Sequence, residues 1–61
     1  MGKKIITSEK VYGETPAGGD YSEIYYFDEN WNSCDKSVAV RFKIRECRND
    51  GQLVMETSAG L

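Results

Sequence analysis

The sequence predicts an all-β fold, a small antiparallel β-meander of three to four strands joined by hairpins. Two patterns carry that expectation. From Ser37 to Arg48, Val38, Val40, Phe42 and Ile44 alternate with Ala39, Arg41, Lys43 and Arg45. A period of two marks a half-buried strand, because successive side chains point to opposite faces. Asn49-Asp50-Gly51 follows, a turn tripeptide whose glycine can take the positive φ of a tight hairpin, and a second extended run from Leu53 to Thr57 completes the pair. No helix is expected, since the segments with helix-like apolar spacing are rich in Gly, Asn, Asp and β-branched residues.

The first strand is expected over Lys3 to Tyr12, where Ile5 and Val11 share one parity and Ile6 and Tyr12 the other. That split leaves the register ambiguous and suggests a bulge near Ser8. Residues 13–20, with Pro16, Gly18 and Gly19, read as a flexible surface loop. Tyr21 to Asp28 is the second strand, its consecutive Tyr25, Tyr26 and Phe27 supplying aromatic bulk to both faces. The hairpin strands come third and fourth, and residues 58–61 are expected to fray.

An internal echo aligns Ile24 to Asn32 with Ile44 to Gln52 at a spacing of 20 residues, each unit a strand followed by a turn. Trp31 then stands where the second unit has Gly51. A bulky side chain disfavours the left-handed backbone region, so the first loop is expected to be longer, with Asn30 or Asn32 taking any positive φ.

A chain of 61 residues, read as one domain over residues 1–61, buries only about 60% of its unfolded surface. Such thin cores are usually supported by a disulfide, a metal or a partner. There is no histidine, and Cys34 and Cys47 are too far apart for a zinc knuckle. An extended chain between them, rising about 3.3 Å per residue, holds them on the order of 35–40 Å apart, whereas a disulfide needs Cα atoms within about 7 Å. Two free thiols are expected, which suits a reducing cytoplasm. Only Ile5 and Ile6 follow the first lysines before polar residues resume, and no apolar run is long enough for a signal peptide or membrane span. Association with a partner is the remaining support.

The net charge of −2 argues against a dedicated nucleic-acid binder. Charge is nevertheless uneven. Lys36, Arg41, Lys43, Arg45 and Arg48 fall within thirteen positions, preceded by Asp20, Glu23, Asp28, Glu29 and Asp35. Cross-strand ion pairing is the expected consequence, with Glu56 opposite Arg45. If Tyr25 and Phe27 share the face of Arg41, Lys43 and Arg45, a basic surface with interleaved aromatics results, as in β-platforms that stack single-stranded bases.

Asp28-x-Asn30-x-Asn32 resembles the first three ligand positions of an EF-hand loop, but position six is Ser33 and position twelve is Ala39, where that loop uses glycine and a bidentate glutamate. Local capping of a turn is the expected role. No metal, cofactor or catalytic residue is expected: histidine is absent, neither cysteine has an activating neighbour in sequence, and so short a chain has difficulty enclosing a pocket of roughly 300 Å³.

The reading that follows is a non-enzymatic, cytoplasmic protein-interaction module, an accessory or regulatory protein of bacterial or phage kind, with a nucleic-acid-binding β-platform using Arg41, Lys43 and Arg45 as the alternative. Partner contacts are expected at Trp31, Tyr25, Tyr26, Tyr12 and Ile6. The first strand carries its charges at its ends and leaves Ile5 to Ser8 unguarded, so a homodimer or a strand-donating partner is expected to pair with that edge.

Overall fold

Direct pairing of Ile24 with Ile44 and of Tyr26 with Phe42 organises the centre of the sheet. A computed structural model describes residues 4–60. Its strands are β1 (Ser8–Tyr12), β2 (Tyr21–Phe27), β3 (Arg41–Cys47) and β4 (Leu53–Gly60). They form one open antiparallel sheet in the order β1-β2-β3-β4, which is the expected all-β meander. The predicted β3–β4 turn is present, with Gly51 at φ 88°. Both cysteines are free. No helix among the described residues is long and apolar enough to cross a membrane.

Because residues opposite one another in a ladder share a face, the register sorts the side chains into two surfaces. One is apolar: Ile24, Tyr26, Phe42 and Ile44 at its centre, Val11 on β1, and Met55 on β4. Tyr26 and Phe42 meet edge to face, ring centroids 5.9 Å apart. The other surface carries Arg41, Lys43 and Arg45 beside Phe27, Tyr25 and Glu23 respectively.

Among the described residues neither surface is covered by a second layer. The molecule measures 36 × 29 × 15 Å, and among the described residues no side chain is fully buried. Its accessible area is 4495 Å², against about 4,000 Å² for a compact monomer of this mass.

Several expectations change at the strand ends. The alternating pattern from Val38 does not continue β3 upstream: Lys36–Val38 is a 3₁₀ turn, leaving Val38 65% exposed. Asp35 is the cause, since its carboxylate accepts hydrogen bonds from the amide and the hydroxyl of Ser37 and winds the chain locally. Val40, Phe42 and Ile44 are half-buried, and so are Arg41, Lys43 and Arg45, whose stems lie against cross-strand neighbours.

The first strand is shorter than expected, and no bulge occurs near Ser8. The register shift lies between Glu46 and Cys47, where Val54 of β4 is the extra residue. Upstream of β1, the Ile6 N–H donates to Asp35 Oδ1 at 2.8 Å and the Ile6 carbonyl accepts from the Lys36 amide at 2.9 Å. Lys3 lies outside the described residues. At the other terminus residues 58–60 extend β4 instead of fraying, and Leu61 is likewise outside the described residues.

The segment 13–20 is tied to the sheet more closely than the expected flexible loop. Asp20 N–H donates to the Cys47 carbonyl at 2.7 Å, Ala17 N–H to Glu46 Oε1 at 3.0 Å, and Gly19 N–H to the Thr15 hydroxyl at 2.8 Å. Thr15 and Cys47 are left 6% and 3% exposed.

Candidate functional site

Trp31 sits in a tight turn that reproduces the β3–β4 turn bond for bond. In the first, Trp31 N–H donates to the Asp28 carbonyl and Asp28 N–H to the Asn32 carbonyl; in the second, Gly51 N–H donates to Arg48 and Arg48 N–H to Gln52. The expectation of a longer first loop with a left-handed asparagine is therefore corrected. Trp31 itself takes the positive φ, 63°, alone among the described non-glycine residues. Asp28 is what closes this turn: its Oδ1 accepts from the amides of Asn30 at 2.8 Å and Asn32 at 3.0 Å. Those amides hold its carboxyl below the ordinary value. The Asp28-x-Asn30-x-Asn32 motif thus caps a turn, and among the described residues no cluster of His, Cys, Asp and Glu is placed to hold a metal ion.

The turn delivers the indole to the end of the cationic face. Its ring lies 5.5 Å from that of Phe27, and the Arg41 guanidinium stands 5.1 Å from the indole. Trp31 remains 44% exposed. Arg41 is steadied from the other side by its Nε, which donates to the Glu29 carbonyl at 3.0 Å. Next along the face, an open groove of about 270 Å³ is lined by Tyr25, Phe27, Lys43, Arg45 and Glu56. At the far end Tyr12 and Tyr21 approach to 5.9 Å, with the Lys10 ammonium 5.0 Å from the Tyr21 ring.

The expected cross-strand ion pairs are set up by the register but not made. Arg45 stands between Glu23 on β2 and Glu56 on β4. Among the described residues, however, the ion pair formed is Lys36 with Glu9, at 3.2 Å. The Nε of Arg45 is buried without a hydrogen-bond partner, which costs the fold the desolvation of that donor.

Glu23 accepts instead from the Tyr25 hydroxyl at 3.4 Å, and on the apolar face too the carboxylates are engaged within the chain. Glu9 accepts from the Tyr26 hydroxyl at 2.7 Å as well as from Lys36. The Tyr26 bond foremost, with Lys36, holds the Glu9 carboxyl below its usual range, and the same bond raises the Tyr26 phenol. Glu46 is lowered by the Thr15 hydroxyl and the Ala17 amide.

The five residues expected to contact a partner do not form one patch. Tyr12 and Tyr25 lie on the cationic face with Trp31 at its end, Tyr26 lies on the apolar face, and Ile6 precedes β1 with its backbone groups taken by residues 35–36. That occupancy removes Ile6 as an open strand edge. Lys10 and Tyr21 joined the cationic face unforeseen: Lys10 through the β1–β2 register, which the mixed parities of Ile5, Ile6, Val11 and Tyr12 did not reveal, and Tyr21 because it shares the parity of Tyr25 and Phe27 on β2. No protein-family model, curated protein or solved structure matches the chain.

Proposed function

We propose that this protein is a non-enzymatic interaction module that works as a homodimer, two copies closing their apolar faces into a sandwich. The observation that carries the reading is an apolar face without a second layer, on which Glu9 and Glu46 are already hydrogen-bonded within the chain. On such a face Glu9 is ion-paired with Lys36 and Glu46 is hydrogen-bonded by the Ala17 amide, and the same patch on two copies supplies the self-complementary interface of a two-fold dimer. A sheet 36 × 29 Å across is large enough to bury the roughly 800 Å² per partner of a standard interface. Closing the face supplies the core that so small a chain lacks, each buried apolar side chain contributing about 1.5–3 kcal/mol. Free Cys34 and Cys47 suit a reducing compartment such as the cytoplasm.

Sedimentation equilibrium tests the reading. The wild-type chain is expected to be a dimer at micromolar concentration. Met55→Lys places a charge on the apolar face at a position already 47% exposed in the single chain, and is expected to yield a folded monomer. A wild-type chain that stays monomeric to millimolar concentration, or a Met55→Lys variant that dimerises as well as wild type, refutes it.

A further inference from the structure

We propose that the cationic face binds single-stranded nucleic acid, with bases stacking along Trp31, Phe27 and Tyr25 and phosphates meeting Arg41, Lys43 and Arg45. Three independent observations converge on that ligand. The first is register: Phe27 pairs with Arg41 and Tyr25 with Lys43, so ring and cation stand side by side in successive rows. Same-face residues repeat about every 6.6–6.8 Å along a strand, which gives a flexible strand a row of alternating platforms and charges. Unpaired bases use every aromatic face they meet, and such stacking is tolerant of sequence.

The second is unspent charge. Lys43 has no hydrogen bond or ion pair among the described residues, and Arg45 makes no ion pair there although Glu23 and Glu56 flank it. The net charge of −2 does not describe this face, where Lys10, Arg41, Lys43 and Arg45 stand against Glu23 and Glu56. A phosphate backbone passing over Arg41 and Lys43 meets an uncompensated positive potential.

The third is Trp31. A tryptophan in the left-handed region is strained by roughly 1–2 kcal/mol, and in the matching turn a glycine occupies the same position. The geometry that this strain maintains is an indole 44% exposed, backed by Phe27 and Arg41. Strain retained at one residue is a mark of a functional position. Double-stranded nucleic acid is not the ligand, because its bases are stacked on each other and a flat sheet reaches only the backbone.

The test is a titration of fluorescein-labelled, mixed-sequence oligonucleotides of roughly 12 nucleotides, as DNA and as RNA, followed by anisotropy at low salt. Trp31 is the single tryptophan, so quenching of its emission in the same titration reports contact at this face. Binding is expected to weaken as salt rises, with a log–log slope of about −2 for three phosphates. Lys43→Ala and Arg45→Ala should each weaken binding several-fold and each lower that slope by about 0.7. Trp31→Ala should weaken it by roughly 5-fold or more. Preference for RNA or for DNA identifies the natural strand, and either supports the proposal.

Absence of binding by both oligonucleotides up to about 200 µM, above the usual range of non-specific affinity, overturns it. So does a Lys43→Ala variant that binds like wild type. Equal competition by poly-glutamate also overturns it, by showing that the face recognises an acidic protein segment and not bases. Lys43→Ala removes no internal hydrogen bond, so the test survives if Trp31→Ala fails to fold. The two faces are opposite sides of the sheet, and the outcome does not depend on dimerisation.

Discussion

Trp31 and Gly51 occupy equivalent backbone positions in two turns of the same hydrogen-bond pattern, with φ of 63° and 88°. For glycine that conformation is free of side-chain conflict; for tryptophan its Cβ is forced toward the neighbouring carbonyl. The 20-residue echo in the sequence therefore reaches the level of backbone geometry, and the two copies differ where one side chain is large and exposed.

Trp31→Ala and Trp31→Gly both delete the indole, but only the glycine variant relieves the backbone. Trp31→Gly should be the more stable of the two by about 1 kcal/mol. Urea denaturation midpoints give the comparison, and an alanine variant equal to or more stable than the glycine variant would contradict the left-handed geometry.

Phe42 and Val38 belong to one alternating pattern in the sequence but to different environments in the fold. Phe42→Ala should destabilise by about 2 kcal/mol, below the roughly 3–5 kcal/mol of a fully buried phenylalanine. Val38→Ala, in the exposed 3₁₀ turn, should change stability by no more than about 0.5 kcal/mol. Thermal melts of the two variants check the pair, and equal losses would restore a strand that begins before Arg41.

Gly60 closes β4 against β3. A Cβ at this position would collide with the Val40 carbonyl oxygen and lie 2.7 Å from Arg41 Cα, with φ at 130°. Gly60→Ala should therefore lower the melting temperature measurably, whereas a frayed end would tolerate it without change.

Acid should weaken the fold through three carboxylates. Glu9, Asp28 and Glu46 are held below ordinary values of 4.5, 3.8 and 4.5 by hydrogen bonds present only in the folded chain. A depressed carboxyl pKa contributes stability above the unfolded value and loses it as pH falls through the folded one. Stability is expected to hold near neutrality and to fall on acidification below about pH 5. Glu9→Gln should make that fall shallower in denaturant titrations run at several pH values. A fold that grows more stable in this acid range would contradict the assignment.

The β-character of the chain, its principal hairpin and the separation of Arg41, Lys43 and Arg45 from Phe42 and Ile44 were legible in the sequence, because the period-two alternation of a strand and the positive φ of Gly51 are local properties. Tyr25 and Phe27 could be assigned to the cationic face only conditionally, since parity within one strand does not say which residue of the next strand it meets. The tertiary structure decided that through the β2–β3 register. It also decided where β3 begins, because the Asp35 carboxylate outcompetes an extended backbone at Ser37, and it removed the Ile6 edge by pairing that residue with Asp35 and Lys36, 29 and 30 positions away in the chain. Trp31 reversed the propensity argument outright: closure of its turn by Asp28, with contacts to Phe27 and Arg41, outweighed the steric preference of a single residue. Contacts of this kind join residues distant in sequence or depend on a neighbouring turn, and no periodicity records them.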